Sequence, residues 1–125
     1  MRKRIILLIL LCIFITGCGN NNSSDYMKNN VDNIENIEVS EVKKISDEYD
    51  EAANVKIVDV RTKEEFVEGH IKNAINIPLD EIESIDISKD TLIIVYCRSG
   101  SRSYNAALIL KELGYTVKDM GGLNN

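Results

Sequence analysis

The chain has 125 residues and is acidic, with 15 Lys and Arg against 20 Asp and Glu and a formal charge of −5 at pH 7. That balance argues against nucleic acid or an anionic lipid surface as an electrostatic partner, and one histidine beside the single cysteine left free by the leader reading below is too few for a metal-ligand cluster.

In chain order, the first segment reads as an export signal rather than as part of a fold. Arg2, Lys3 and Arg4 open the chain, residues 5–16 are an unbroken apolar run, and small residues Thr16 and Gly17 lead into Cys18. Such a run spans about 18 Å as a helix, short of the roughly 30 Å hydrocarbon core, so a permanent transmembrane helix is the weaker reading. "ITGC" at 15–18 resembles the lipobox of bacterial lipoproteins. The resemblance implies removal of residues 1–17, a diacylglycerol on the Cys18 thiol, and a protein anchored in the cell membrane through that lipid on its extracytoplasmic face. Cys12 then leaves with the leader and Cys18 is acylated, so Cys97 is the sole free thiol and no internal disulfide can form. The loss of three basic residues makes the remainder more acidic still. Residues 18–36 are polar and Asn-rich, which predicts a flexible tether, and 37–125 hold one small domain.

Within the domain, strand-like and helix-like segments alternate. A short strand is expected at 36–40 and a helix at 40–52, with Ser40 as its N-cap and Val42, Ile45 and Tyr49 on one face. Residues 55–60 are a β-branched run typical of a buried strand. Thr62 and Glu65 have capping-box spacing at the head of a short helix over 62–69. A strand at 74–78 stops at Pro78, and a short helix is expected over 79–85. The clearest strand is 91–97 and the clearest helix 102–114, closed by Gly114, before a last strand at 115–120. Alternation with continuously apolar strands predicts an α/β fold, a parallel sheet with helices on both faces. In such sheets ligands bind beyond the carboxyl ends of strands, and Cys97 ends one.

The loop "CRSGSR" at 97–102 then carries the chemistry. A helix N-terminus leaves unpaired N–H groups and a partial positive charge. Gly100 can take a positive φ and curl the backbone into an anion nest. A thiol at its mouth, with Arg98 and Arg102 adding positive charge, is expected to ionise below its ordinary pKa. The residues by themselves leave a second reading open: a small buried hydrophobe ending a strand, beside two solvated arginines. Tyr96, Tyr104 and Tyr115 are expected in the core or the pocket wall.

"DVRTKEEFVEGHIKNAINIP" (59–78), "YCRSGSR" (96–102) and "GG" (121–122) together resemble the rhodanese, or thiosulfate sulfurtransferase, family, in the family's order over almost the whole domain. The resemblance implies a five-stranded parallel sheet and no cofactor. It implies Cys97 as nucleophile and persulfide carrier, with the backbone of Arg98, Ser99, Gly100, Ser101, Arg102 and Ser103 cradling the sulfur. The Arg98 and Arg102 side chains would attract a small anionic sulfur donor such as thiosulfate. The acceptor would be cyanide or a thiol, with a protein acceptor left open. Asp59, Arg61 and His70 would be structural, His70 preceding the next strand rather than serving Cys97 as a base.

Four residues separate Cys97 from Arg102. Cysteine-dependent phosphatases, including those on a rhodanese-like fold, carry five, so phosphatase or arsenate reductase chemistry is the weaker alternative. A sulfur carrier or binding module without turnover is the other. Two departures from the family pattern stand out. Asn73 takes the place of a usual glycine, and "GGLNN" ends the chain where relatives continue with an aromatic residue and a helical turn, which predicts a more exposed face.

Overall fold

The computed structural model describes residues 33–124. The apolar leader, Cys18 and residues 18–32 of the Asn-rich segment lie outside the described residues. Strand β1 spans Glu35–Asn36, helix α1 Val39–Asp47, β2 Val55–Asp59, α2 Lys63–Glu68 and β3 Ile75–Asn76. A 3-10 helix over Leu79–Ser84 follows, then β4 Leu92–Cys97, α3 Ser101–Glu112 and β5 Thr116–Gly122. All neighbouring strands are parallel, in the order β1-β5-β4-β2-β3. The expected five-stranded parallel sheet flanked by helices is the fold observed.

The alternation of side chains along β4 sorts the core into two layers. Ile93, Val95 and Cys97 face α3 and the 3-10 helix, where they pack with Val58, Val60, Ile82, Ala106, Ala107 and Leu110. Ile94 and Tyr96 face the other way, packing with Val42, Ile57 and Met120 and with the partly buried Ile45 and Phe66. Because both faces are covered, β4 has no polar side and reads as a continuous apolar run. Each fully buried aliphatic side chain there contributes roughly 1.5–3 kcal/mol.

Local rules account for most boundaries. Thr62 caps α2, its hydroxyl oxygen accepting from the Glu65 N–H at 3.2 Å. At the end of α3 the Gly114 N–H donates to the Lys111 carbonyl and the Tyr115 N–H to the Leu110 carbonyl, both at 3.0 Å. This is a Schellman closure that needs the positive φ of Gly114, +93°. Ser40, expected to cap α1, lies instead inside it: Glu38 is the capping residue, in extended conformation and with no side-chain bond. The helix starts earlier because the Glu38 carbonyl already accepts from both Glu41 and Val42. Tyr49 falls beyond the end of α1, and β1 and β3 are each shorter than expected. Tyr104 is 41% exposed rather than core, whereas Tyr96 and Tyr115 are buried.

Asn73 occupies a left-handed turn, φ +65°, a conformation that asparagine tolerates better than most residues. Its side-chain amide donates to the Ser46 carbonyl at 2.9 Å, and the Ser46 hydroxyl donates to the Lys72 carbonyl at 2.6 Å. The departure from glycine therefore keeps the turn and adds a tie to the end of α1. Leu123 is 42% exposed and, with Val39, Val42 and Ile71, lines an open apolar groove of about 310 Å³ beside α1.

Candidate active site

Cys97 is the last residue of β4, at the carboxyl end of the sheet, and its side chain points to the α3 face. The next residues reverse the chain into the N-terminus of α3. Gly100 caps that helix with φ +100°, the left-handed geometry expected for the curl. The curl brings the Gly100 N–H onto the Cys97 sulfur at 3.0 Å. The Ser103 hydroxyl oxygen lies 3.5 Å from the same sulfur and also donates to the Gly100 carbonyl at 3.1 Å.

Burial pushes the Cys97 thiol up in pKa, but hydrogen bonds outweigh it. The Ser103 hydroxyl and the N–H groups of Ser103, Gly100 and Ser99 all favour the thiolate, and the thiol ends below its ordinary value. In the thiol form Cys97 donates to the Ser103 oxygen, and on ionisation that hydroxyl can turn its proton to the sulfur. One expectation is corrected: the sulfur does not sit at the mouth of the nest. Cys97 is 0% exposed, because the Gly100 turn folds over it.

The arginines differ from each other. Arg98 is exposed and forms no ion pair among the described residues. Arg102 forms a two-pronged pair with Glu65 at 2.9 and 3.0 Å, its side chain only partly exposed. The Arg102 hydrogen bonds hold the Glu65 carboxyl below the usual carboxylate range against a smaller opposing effect of burial, and the charges of Arg102, Arg61 and Arg98 add to them. Of the three guanidinium groups whose charge is felt at Glu65, only that of Arg102 bonds to it.

Beside this site, at the end of β2, Asp59 and Arg61 form a buried pair. Asp59 accepts from the Arg61 Nε at 3.0 Å, from its terminal nitrogen at 2.7 Å and from the Tyr96 hydroxyl at 2.8 Å. Arg61 also donates to the Gly69 carbonyl at 2.6 Å, and the Tyr96 oxygen accepts from the Ile71 N–H at 3.1 Å. Burial raises the Tyr96 hydroxyl far above its ordinary pKa, with Asp59 adding to it, so it stays a neutral donor. His70 is exposed and stacks on Phe66 with ring centres 3.7 Å apart, its Nδ1 2.8 Å from the Phe66 carbonyl oxygen. It makes no contact with Cys97.

The sequence reading did not single out Glu65 or Gly122 as parts of the site. Glu65 had a signal in the capping-box spacing with Thr62, but the spacing speaks only for its backbone N–H. Its carboxylate reaches across 37 positions to Arg102, which no local pattern encodes. Gly122 sits where the end of β5 passes under the cysteine loop. A Cβ there would lie 2.6 Å from the Arg98 carbonyl oxygen and 2.7 Å from Ser99 backbone carbons. A bulge in the β4–β5 pairing after Val95 sets this approach, and the Leu123 N–H then donates to the Cys97 carbonyl at 3.0 Å.

The chain is similar to known proteins in sequence and in fold. Residues 38–125 match the rhodanese-like domain family. The chain is 40% identical over 74 residues to the thiosulfate sulfurtransferase PspE of Escherichia coli, covering 54% of this chain and 70% of PspE. It is 43% identical over 72 residues to the adenylyltransferase and sulfurtransferase uba4 of Ogataea parapolymorpha, covering 54% of this chain but only 18% of that longer protein. Among solved structures, an uncharacterized protein from Saccharomyces cerevisiae superposes with a TM-score of 0.65 at 27% identity, over 74% of this chain and 89% of the other. A parallel sheet of this order, a cysteine cradled at the end of its central strand and a family match over nearly all the described residues agree: the chain belongs to the rhodanese-like domain family.

Proposed function

We propose that the protein is a sulfurtransferase that carries sulfane sulfur as a persulfide on Cys97, taking it from a donor such as thiosulfate and passing it to cyanide or a thiol. The observation that carries the reading is the Cys97 sulfur under the Gly100 N–H at 3.0 Å, with its thiol held below its ordinary pKa. The similarity to PspE supports the same chemistry.

With thiosulfate, the Cys97 thiolate attacks the outer sulfur, a new S–S bond forms at Sγ, and sulfite leaves with the electron pair of the broken bond. An acceptor nucleophile then takes the outer sulfur and returns the thiolate, so no oxidant is consumed. The N–H groups of Ser99, Gly100 and Ser103 already favour negative charge on Cys97; they are the donors for the persulfide anion that follows. Attack requires the sulfur to turn outward, since Cys97 is closed off in the free protein. That closure favours a second reading, a carrier that opens for one partner and turns over poorly with small donors.

Thiocyanate formation from thiosulfate and cyanide over many turnovers separates the two. Sustained turnover that Cys97→Ser abolishes is the enzyme; a single stoichiometric transfer is the carrier; no sulfur on Cys97 at all sinks both. The leader motif supports a further part of the reading, an exported protein anchored by lipid at Cys18. Mass analysis of the protein's N-terminal peptide from membranes checks it: acylated Cys18 is expected as the first residue, and an unmodified or absent Cys18 contradicts it.

A further inference from the structure

Three guanidinium groups lie at this end of the sheet, near enough for their charges to be felt at Glu65, but those charges are not equally available. Arg61 is committed to Asp59, and Arg102 to Glu65. Arg98 alone forms no ion pair among the described residues. Around the Cys97 thiolate there is therefore one uncompensated cation rather than three. A dianionic donor such as thiosulfate brings two negative charges toward a sulfur that is already negative. It must draw Arg102 away from Glu65 or rely on Arg98 and the loop N–H groups. A hydropersulfide, R–S–SH, brings at most one charge, on the sulfur that is transferred. The pair is no structural necessity: its side chains are 33% and 25% exposed, a setting where ion pairs add little stability and exchange partners readily.

We infer that Glu65 is a specificity-determining residue, which by holding Arg102 disfavours dianionic donors and leaves the site suited to hydropersulfides of low charge. The inference rests on the sulfurtransferase reading above and names its donor class. In the step implied, the Cys97 thiolate attacks the outer sulfur of R–S–SH and the donor S–S bond breaks. RS⁻ leaves with its electron pair and takes a proton from water, and Cys97 retains the S–SH group. No other reactant is needed.

The test compares wild type with Glu65→Gln, which keeps the shape and removes the charge, and with Glu65→Asp, which keeps the charge. Initial rates of sulfur loading on Cys97 are measured with thiosulfate and with a short alkyl hydropersulfide that has no other charged group. Glu65→Gln should lower KM for thiosulfate about fivefold at low salt, with kcat little changed. The alkyl donor should show no such gain, and Glu65→Asp should stay near wild type. A thiosulfate KM that is unchanged or raised in Glu65→Gln overturns the inference, since Glu65 would then only position Arg102. Equal shifts for both donors overturn it too. Absence of loading by either donor, in wild type as well, defeats the sulfurtransferase reading itself.

Discussion

Asp59–Arg61 and Glu65–Arg102 are the same chemical object in two settings. Each is a guanidinium fork on a carboxylate with contacts of 2.7 to 3.0 Å. The first pair is sealed, with side chains 0% and 9% exposed, and every acceptor it leaves over is taken by Tyr96 or by backbone. The second is partly exposed, its side chains 33% and 25% open to solvent. Burial decides the difference. A sealed pair that loses one member leaves a bare charge in the core, whereas a partly exposed pair that loses one member exposes a charge to water and to substrate.

Breaking the sealed pair gives the largest expected effect. Asp59→Ala strands the Arg61 guanidinium against Tyr96 and should cost about 3–5 kcal/mol in denaturant unfolding. A cost under about 1 kcal/mol would mean that the pair is not sealed in solution. Next comes the floor of the site. Gly122→Ala puts a methyl group against the Arg98 and Ser99 backbone, which has no flexible end to move aside. About 1–3 kcal/mol of stability should be lost, and sulfur loading should slow by about tenfold or more as the loop shifts. Glu65→Ala should change unfolding free energy by only about 0–1 kcal/mol, in contrast to Asp59→Ala.

The pH profile sharpens the same contrast at the sulfur. Hydrogen bonds that favour the thiolate lower the pKa of Cys97, so loading should rise with pH and level off at a lower pH than the ionisation of an ordinary free thiol would give. Below that midpoint the protonated thiol dominates and the rate falls about tenfold per unit. Ser103→Ala removes one of those bonds and should move the midpoint upward. A midpoint that stays put would show that the backbone N–H groups alone hold the thiolate.

The elements of the fold were legible because their causes are local. The apolar run of β4, the Thr62 cap and the glycine closing α3 each act within a few residues. Cys97, Gly100 and the curl between them belong to the same class. What stayed hidden depends on distant parts meeting. Glu65 reads as a capping residue until Arg102 is brought to it. Gly122 reads only as half of a GG motif until β5 is seen to pass under the loop. The thiol's depth stayed open for a related reason, since the residues alone fit both a thiol at the mouth of a nest and a small buried side chain ending a strand. Ser40 failed as a cap because a serine near a helix start says little about which carbonyl begins the ladder.

The central claim is that Cys97, held under the loop N–H groups, carries the sulfur. Mass spectrometry of the purified protein after incubation with thiosulfate or a hydropersulfide tests it most directly, beside a Cys97→Ser control. The account predicts a gain of about 32 Da, one sulfur atom, mapped to the Cys97 peptide and removed by cyanide or dithiothreitol. No gain on that peptide with either donor, or an equal gain in the Cys97→Ser protein, would contradict it.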